Sequence, residues 1–226
     1  MDTDSLISRI AADSTPVRRL PPPWRRTLVW FLLALPTLIL VLAMHGLDVS
    51  LAEILADRRF VIEEIATLAT AIAAAMAAFA STIPGTNRKW LLLPAVPFAV
   101  WLLSVGEGCL NDFQKYGWDG LSLRIDSGCF LPMAVTSIVP IVAMVRMLSR
   151  GAPLTPRISM ILGMLATAAL VNFGLRLFHL GDVTFMVLVW HFGLVTIYAI
   201  GAGLLAHRIL DWQRLSARLP ASLRMG

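Results

Sequence analysis

Apolar and polar positions along this chain fall into long blocks rather than the short alternations of soluble strands or surface helices. Six apolar stretches, near 27–45, 60–83, 90–107, 130–148, 157–178 and 183–206, are separated by polar joints. A helix needs about 20 mostly apolar residues to cross a bilayer core. The pattern therefore predicts an all-α integral membrane protein, a six-transmembrane-helix bundle over 27–206. The second stretch, TLATAIAAAMAAFAS, is built of small residues that let helix backbones approach closely in lipid, so it reads as a packing face. Pro36, Pro94, Pro97, Pro132 and Pro140 are expected to kink or start helices, as membranes tolerate. The seven tryptophans fall mostly near predicted span ends, where interfacial aromatics collect.

Two polar segments break the pattern most. Residues 1–26 form a tail in which Thr3 or Asp4 is placed to cap a short helix, with Leu6, Ile7, Ile10 and Ala11 on one face. Such a helix is marginal in water and gains stability by docking on a partner. Pro21, Pro22 and Pro23 then make a stiff spacer. The longest interruption runs from Gly106 to Phe130, with a loop expected over 108–129. It carries both cysteines, Cys109 and Cys129, each after a glycine.

Composition agrees with lipid as solvent. Charged residues make up 15% of the chain and hydrophobic ones 58%, with a mean hydropathy of +0.76; soluble domains carry about a quarter charged residues. The first residues lack a signal-peptide core and cleavage site, so the first apolar stretch reads as a retained span. The net charge of +5 reports topology here rather than nucleic-acid binding. Arg9, Arg18, Arg19, Arg25 and Arg26 lie in the N-terminal tail, Arg88 and Lys89 in the second connection, and Arg146, Arg150 and Arg157 around the fourth. Arg208, Arg214, Arg218 and Arg224 lie in the tail over 207–226. Against these stand Arg58, Arg59, Lys115 and Arg124, with Arg176 at the end of the fifth stretch. The asymmetry places both termini in the cytoplasm and the cysteines outside, which in a bacterium means an inner-membrane protein with a periplasmic loop.

Three readings of the thiol pair stay open. A disulfide would close a loop of 20 residues and contribute about 3 kcal/mol. A dithiol–disulfide or thiophilic sensor is the second. The third is a site for a soft ion such as Cu(I), with His179 and Glu107 as further ligands, and His45 or His191 less favourably placed. Arg176 reads as half of an ion pair with Glu107 or Asp182. Phosphate-cradling, zinc-protease and dinucleotide motifs are absent from the sequence, and no catalytic residue or required cofactor is expected. No mid-span carboxylate pair is expected either. A small metal or solute transporter, and a membrane oxidoreductase using the cysteines, are the competing classes. Thr67, Thr70, Ser104, Thr136, Ser137, Asn172 and His191 are the sparse polar residues available to a transport path.

The tail MDTDSLISRIAADSTPVRRLPPPWRR, the joint STIPGTNRKWLLLP, the GEGCLNDF and SGCF cysteines, SRGAPLTPR and RLFHLGDVTFMVLVWH together resemble the NrsF-like family of bacterial membrane proteins. These are negative regulators of an extracytoplasmic-function sigma factor of the SigF type. The resemblance implies six spans with both termini inside and an anti-sigma factor that holds its sigma factor at the membrane. It implies that Cys109 and Cys129 sense heavy metals such as copper, or oxidative stress, and that Leu6, Ile7 and Ile10 contact the partner.

Overall fold

The structure, a computed structural model, describes residues 3–12, 20–45, 56–118, 127–151, 155–177 and 193–210. Among these the chain is helical and contains no strand. The helices are α1 (Thr3–Ala12), α2 (Pro23–His45), α3 (Arg58–Ala80), α4 (Ala95–Tyr116), α5 (Ser127–Leu148), α6 (Pro156–Arg176) and α7 (Gly193–Ile209), with a 3-10 turn at Arg88–Leu92 before α4. Four candidate spans, Pro23–Met44, Arg58–Ala80, Arg88–Tyr116 and Pro156–Arg176, are long and apolar enough to cross a membrane. The other two expected spans contain shorter described apolar stretches, Ala134–Leu148 in α5 and Thr196–Ala206 in α7.

Each helix divides its apolar surface by packing, because hydrophobicity all round gives no inside or outside. On α2, Trp30, Ala34, Leu38 and Val41 recur at helical spacing and are buried, while Leu32, Leu33, Ile39, Leu40 and Met44 stay exposed. An exposed apolar helix face of this extent suits lipid. The small-residue stretch of α3 does pack as expected: Ala71, Ala74, Ala75, Ala77 and Ala78 are fully buried. Helix α6 is buried along nearly its whole length and makes its most extensive contact with α3, then with α7. Close approach needs glycine at Gly174, where a Cβ would come within 2.5 Å of Leu38. Helix α4 lies against α3, and α5 bridges α2 and α6.

Three expectations are corrected. Trp30 and Trp101 are wholly buried rather than interfacial, and Trp30 Nε1 donates to the Pro140 carbonyl at 3.0 Å. An indole in a dry interior needs an acceptor for its N–H, and the proline-containing α5 supplies one. Second, helix outlasts the apolar stretch: α4 continues into the expected loop as far as Tyr116, and α5 already begins at Ser127. Polarity after Gly106 changes the solvent a helix faces, not its hydrogen bonding. The α4 helix stops at Gly117, whose φ of +61° suits a residue without a Cβ. Third, the described ion-pair partner of Arg176 is Glu63 of α3 rather than Glu107.

Candidate functional site

The first turns of α3 carry the most polar buried feature among the described residues. Asp57 caps the helix, its carboxylate accepting from the Arg59 and Phe60 amides at 3.0 and 3.2 Å. One turn further in, Glu63 is fully buried and Glu64 is 6% exposed. The α6 chain runs antiparallel to α3 and ends beside them, so its last residue, Arg176, reaches Glu63: Nε to Oε1 is 3.4 Å, with both side chains buried. The Arg176 guanidinium also lies over the Phe60 ring, 5.7 Å from its centre. One turn back along α6, Asn172 is buried with neither amide atom hydrogen-bonded. Val41, Val171 and Leu175 seal this end with an apolar cluster.

The adjacent carboxylates sit in the first turns of α3, near one end of the span and not at its middle. Two acids a few residues inside an apolar stretch were a legible signal, since ionisable groups in such helices are expensive and mark function by default. Arg176 does form an ion pair, but its described carboxylate is Glu63. Glu107, the expected candidate, is exposed on α4, and Asp182 lies outside the described residues.

Cys109 approaches this cluster from α4. Cys109 is half-buried with a free thiol. It lies within electrostatic reach of Asp112, Arg59 and Glu63. Cys129 is the third residue of α5; its side chain lies outside the described set, as do His179 and His191. Among the described residues no three His, Cys, Asp or Glu side chains come together to hold a metal ion.

The opposite end of α3 is organised around a residue that sequence reading used only to count charges. Arg26, in the first turn of α2, is 4% exposed. Its guanidinium donates to Thr82 Oγ1 at 2.8 Å, to the Phe79 carbonyl at 3.4 Å and to the Met147 carbonyl, and stacks 4.5 Å from the Phe79 ring. Phe79 lies in the last turn of α3, Thr82 just beyond it and Met147 in the last turn of α5, so one cation serves carbonyls at two helix C-termini, where partial negative charge collects. Ser81 and Ser159 hydroxyls join α3 to α6 nearby at 2.7 Å. Before Arg26 come the proline spacer and α1, on which Ile7 is 58% exposed. The side chains of Leu6, Ile10 and Ala11 lie outside the described set. Glu63 and Phe79 stand about 24 Å apart along α3, at 1.5 Å per residue.

These features define a helical bundle of membrane-spanning character, with a buried charge cluster near a thiol at one end and a tail-bearing helix fastened at the other. The chain belongs to the NrsF family, negative regulator of sigma F, whose model matches residues 10–212, nearly its whole length. Its partner class is accordingly a sigma factor. No curated protein and no solved structure matches the chain.

Proposed function

We propose that the protein is an inner-membrane anti-sigma factor that sequesters an extracytoplasmic-function sigma factor at the cytoplasmic face. Release follows when Cys109 and Cys129, on the periplasmic side, sense a heavy metal such as copper or oxidative stress. The observation that carries this reading is the family match together with the fastening of the tail. The segment expected to grip the partner, through Leu6, Ile7, Ile10 and Ala11, leads through three prolines to Arg26. Arg26 is bonded to the ends of α3 and α5. Cys129 lies in the first turn of α5 and Cys109 beside the first turns of α3. Joining or separating the thiols moves α5 relative to α3, and Arg26 passes that movement to the tail. A signal shifts such a bundle only by its differential affinity for two arrangements. Copper, in this reading, binds transiently and is the signal rather than a resident cofactor; the protein carries out no catalysis and touches no nucleic acid.

The test is co-purification of the tagged protein from its native membrane, before and after exposure to copper. A sigma factor bound at rest and lost after exposure is the expected result, with loss abolished in Cys109→Ser and Cys129→Ser. Absence of a sigma factor from the resting sample overturns the holding role. Unaltered release in both variants overturns the thiol trigger alone.

A further inference from the structure

The joint between α3 and α4 holds a cavity of about 120 Å³ whose lining includes Ser81, Thr86, Asn87, Arg88, Trp90 and Thr155. It lies at the Arg26 end of the bundle, where α3 finishes and α6 begins. Internal bonds set its frame. The Thr86 hydroxyl donates to the Ile83 carbonyl at 2.8 Å, and the Ser81 hydroxyl to the Ala78 carbonyl at 2.7 Å. The Asn87 side-chain oxygen accepts from the Lys89 amide at 2.9 Å. What these bonds leave over is a set of donors: the Asn87 amide nitrogen, the Arg88 guanidinium, the Trp90 indole N–H and the Thr155 hydroxyl. Among the described residues none of these donors has a partner.

Charge points the same way. Arg88, Lys89, Arg150 and Arg157 are exposed at this end. The described carboxylates of the bundle (Asp57, Glu63, Glu64, Glu107 and Asp112) lie about the first turns of α3 or in the second half of α4, at the other end. A lining of donors with surplus positive charge and no carboxylate selects an oxyanion. Depth then selects its source. Trp90 is 42% exposed, and Leu92, Val96 and Leu103 are exposed beyond it along the start of α4. Indoles gather at headgroup level, and an apolar strip leading away from a polar cup suits acyl chains rather than water.

We propose that this cavity binds the phosphodiester headgroup of an anionic phospholipid. Arg88 is the charged anchor, Asn87, Trp90 and Thr155 are further donors, and Leu92, Val96 and Leu103 lie against the chains. A zwitterionic headgroup fits less well, because its ammonium meets no carboxylate among the described residues of this end. Ser81, in the same lining, is bonded to Ser159 of α6 at 2.7 Å, so the lipid sits against the contact that joins α3 to α6. The site requires that α3 and α4 span a membrane; it requires nothing of the tail or of a sigma factor.

The experiment is native mass spectrometry of the full-length protein, released from neutral-detergent micelles after addition of dioleoyl phosphatidylglycerol, dioleoyl phosphatidylcholine or inorganic phosphate. The expected result is a phosphatidylglycerol adduct that outlasts the phosphatidylcholine adduct and that Arg88→Gln weakens about tenfold, as loss of a charge-assisted bond does. Trp90→Phe keeps a ring, removes the N–H and should weaken the adduct about threefold. Arg150→Gln removes the same charge from the same end outside the cavity and should change it by less than about twofold. Arg88 and Arg150 are exposed, so both variants keep the fold. Equal retention of the two lipids, or equal weakening by Arg88→Gln and Arg150→Gln, overturns the site in favour of diffuse surface attraction. Displacement of phosphatidylglycerol by millimolar inorganic phosphate makes the ligand a free anion and overturns the lipid. Loss of sigma-factor co-purification in Arg88→Gln with lipid retention unchanged gives the cavity to the protein partner and overturns it too. No sigma factor is present in the lipid measurement, so its failure leaves the anti-sigma reading standing, and the reverse holds.

Discussion

Both ends of α3 bury an arginine, and the two arginines are treated differently. Arg26 meets neutral acceptors: two main-chain carbonyls and a hydroxyl, with an aromatic face beneath. Its charge is spread over the partial negative ends of two helices, and no carboxylate is described beside it. Arg176 meets a full carboxylate, Glu63, with a second acid next in the chain and an unbonded amide one turn away. Satisfied polar groups fix one geometry, whereas groups left with surplus charge or unmade bonds hold alternatives open. The Arg26 end is thus built as a fastening, whereas the Arg176 end holds an ion pair with unbonded polar atoms around it. In the proposed function the tail-bearing Arg26 end presents the partner-binding segment.

The comparison breaks most severely at the ion pair. Arg176→Met strands a buried carboxylate, and the bundle is expected to lose about 3–5 kcal/mol in denaturant unfolding from mixed micelles. Adding Glu63→Gln should return most of that loss, a coupling that a double-mutant cycle reads directly. Rescue failing in the double variant would mean that Arg176 acts chiefly through other contacts. Next comes Arg26→Met, with an expected loss of about 2–3 kcal/mol because charge-assisted bonds to buried acceptors vanish together. No single second substitution should rescue it, since two of its acceptors are main-chain carbonyls. A smaller effect is expected from Gly151→Ala. Its Cβ would come within 2.5 Å of Thr82 Cβ and displace the hydroxyl that Arg26 uses. A cost of about 1–2 kcal/mol fits overpacking of this kind, and it should shrink in an Arg26→Met background if the two act through one contact.

Much of the architecture is legible in residue order. The apolar blocks locate α2 to α7, the alanine run marks α3 as a packing helix, and the spacing of Leu6, Ile7 and Ile10 foretells α1. Helix ends are less legible: the glycines and polar residues after Val105 suggest a loop, yet α4 runs on to Tyr116 because backbone bonding does not depend on which solvent the side chains face. At the site, adjacent acids in an apolar stretch were visible, but their ion-pair partner was not. Glu107 and Asp182 are nearer to the cysteines or to Arg176 in the chain, and distance in the chain says little once helices pack antiparallel.

Sequence alone determined the helical class, the polar tail with its proline spacer, the placement of the thiols about one connection and the family to which the chain belongs. Each of these rests on local composition or on order along the chain. Only the tertiary structure decided that Glu63 pairs with Arg176, that Trp30 turns inward to the Pro140 carbonyl, and that Arg26 fastens α2 to the ends of α3 and α5. In helices apolar on every side, periodicity does not say which face meets which neighbour. That choice is made by close packing of small residues and by the need of each buried polar group to find a partner.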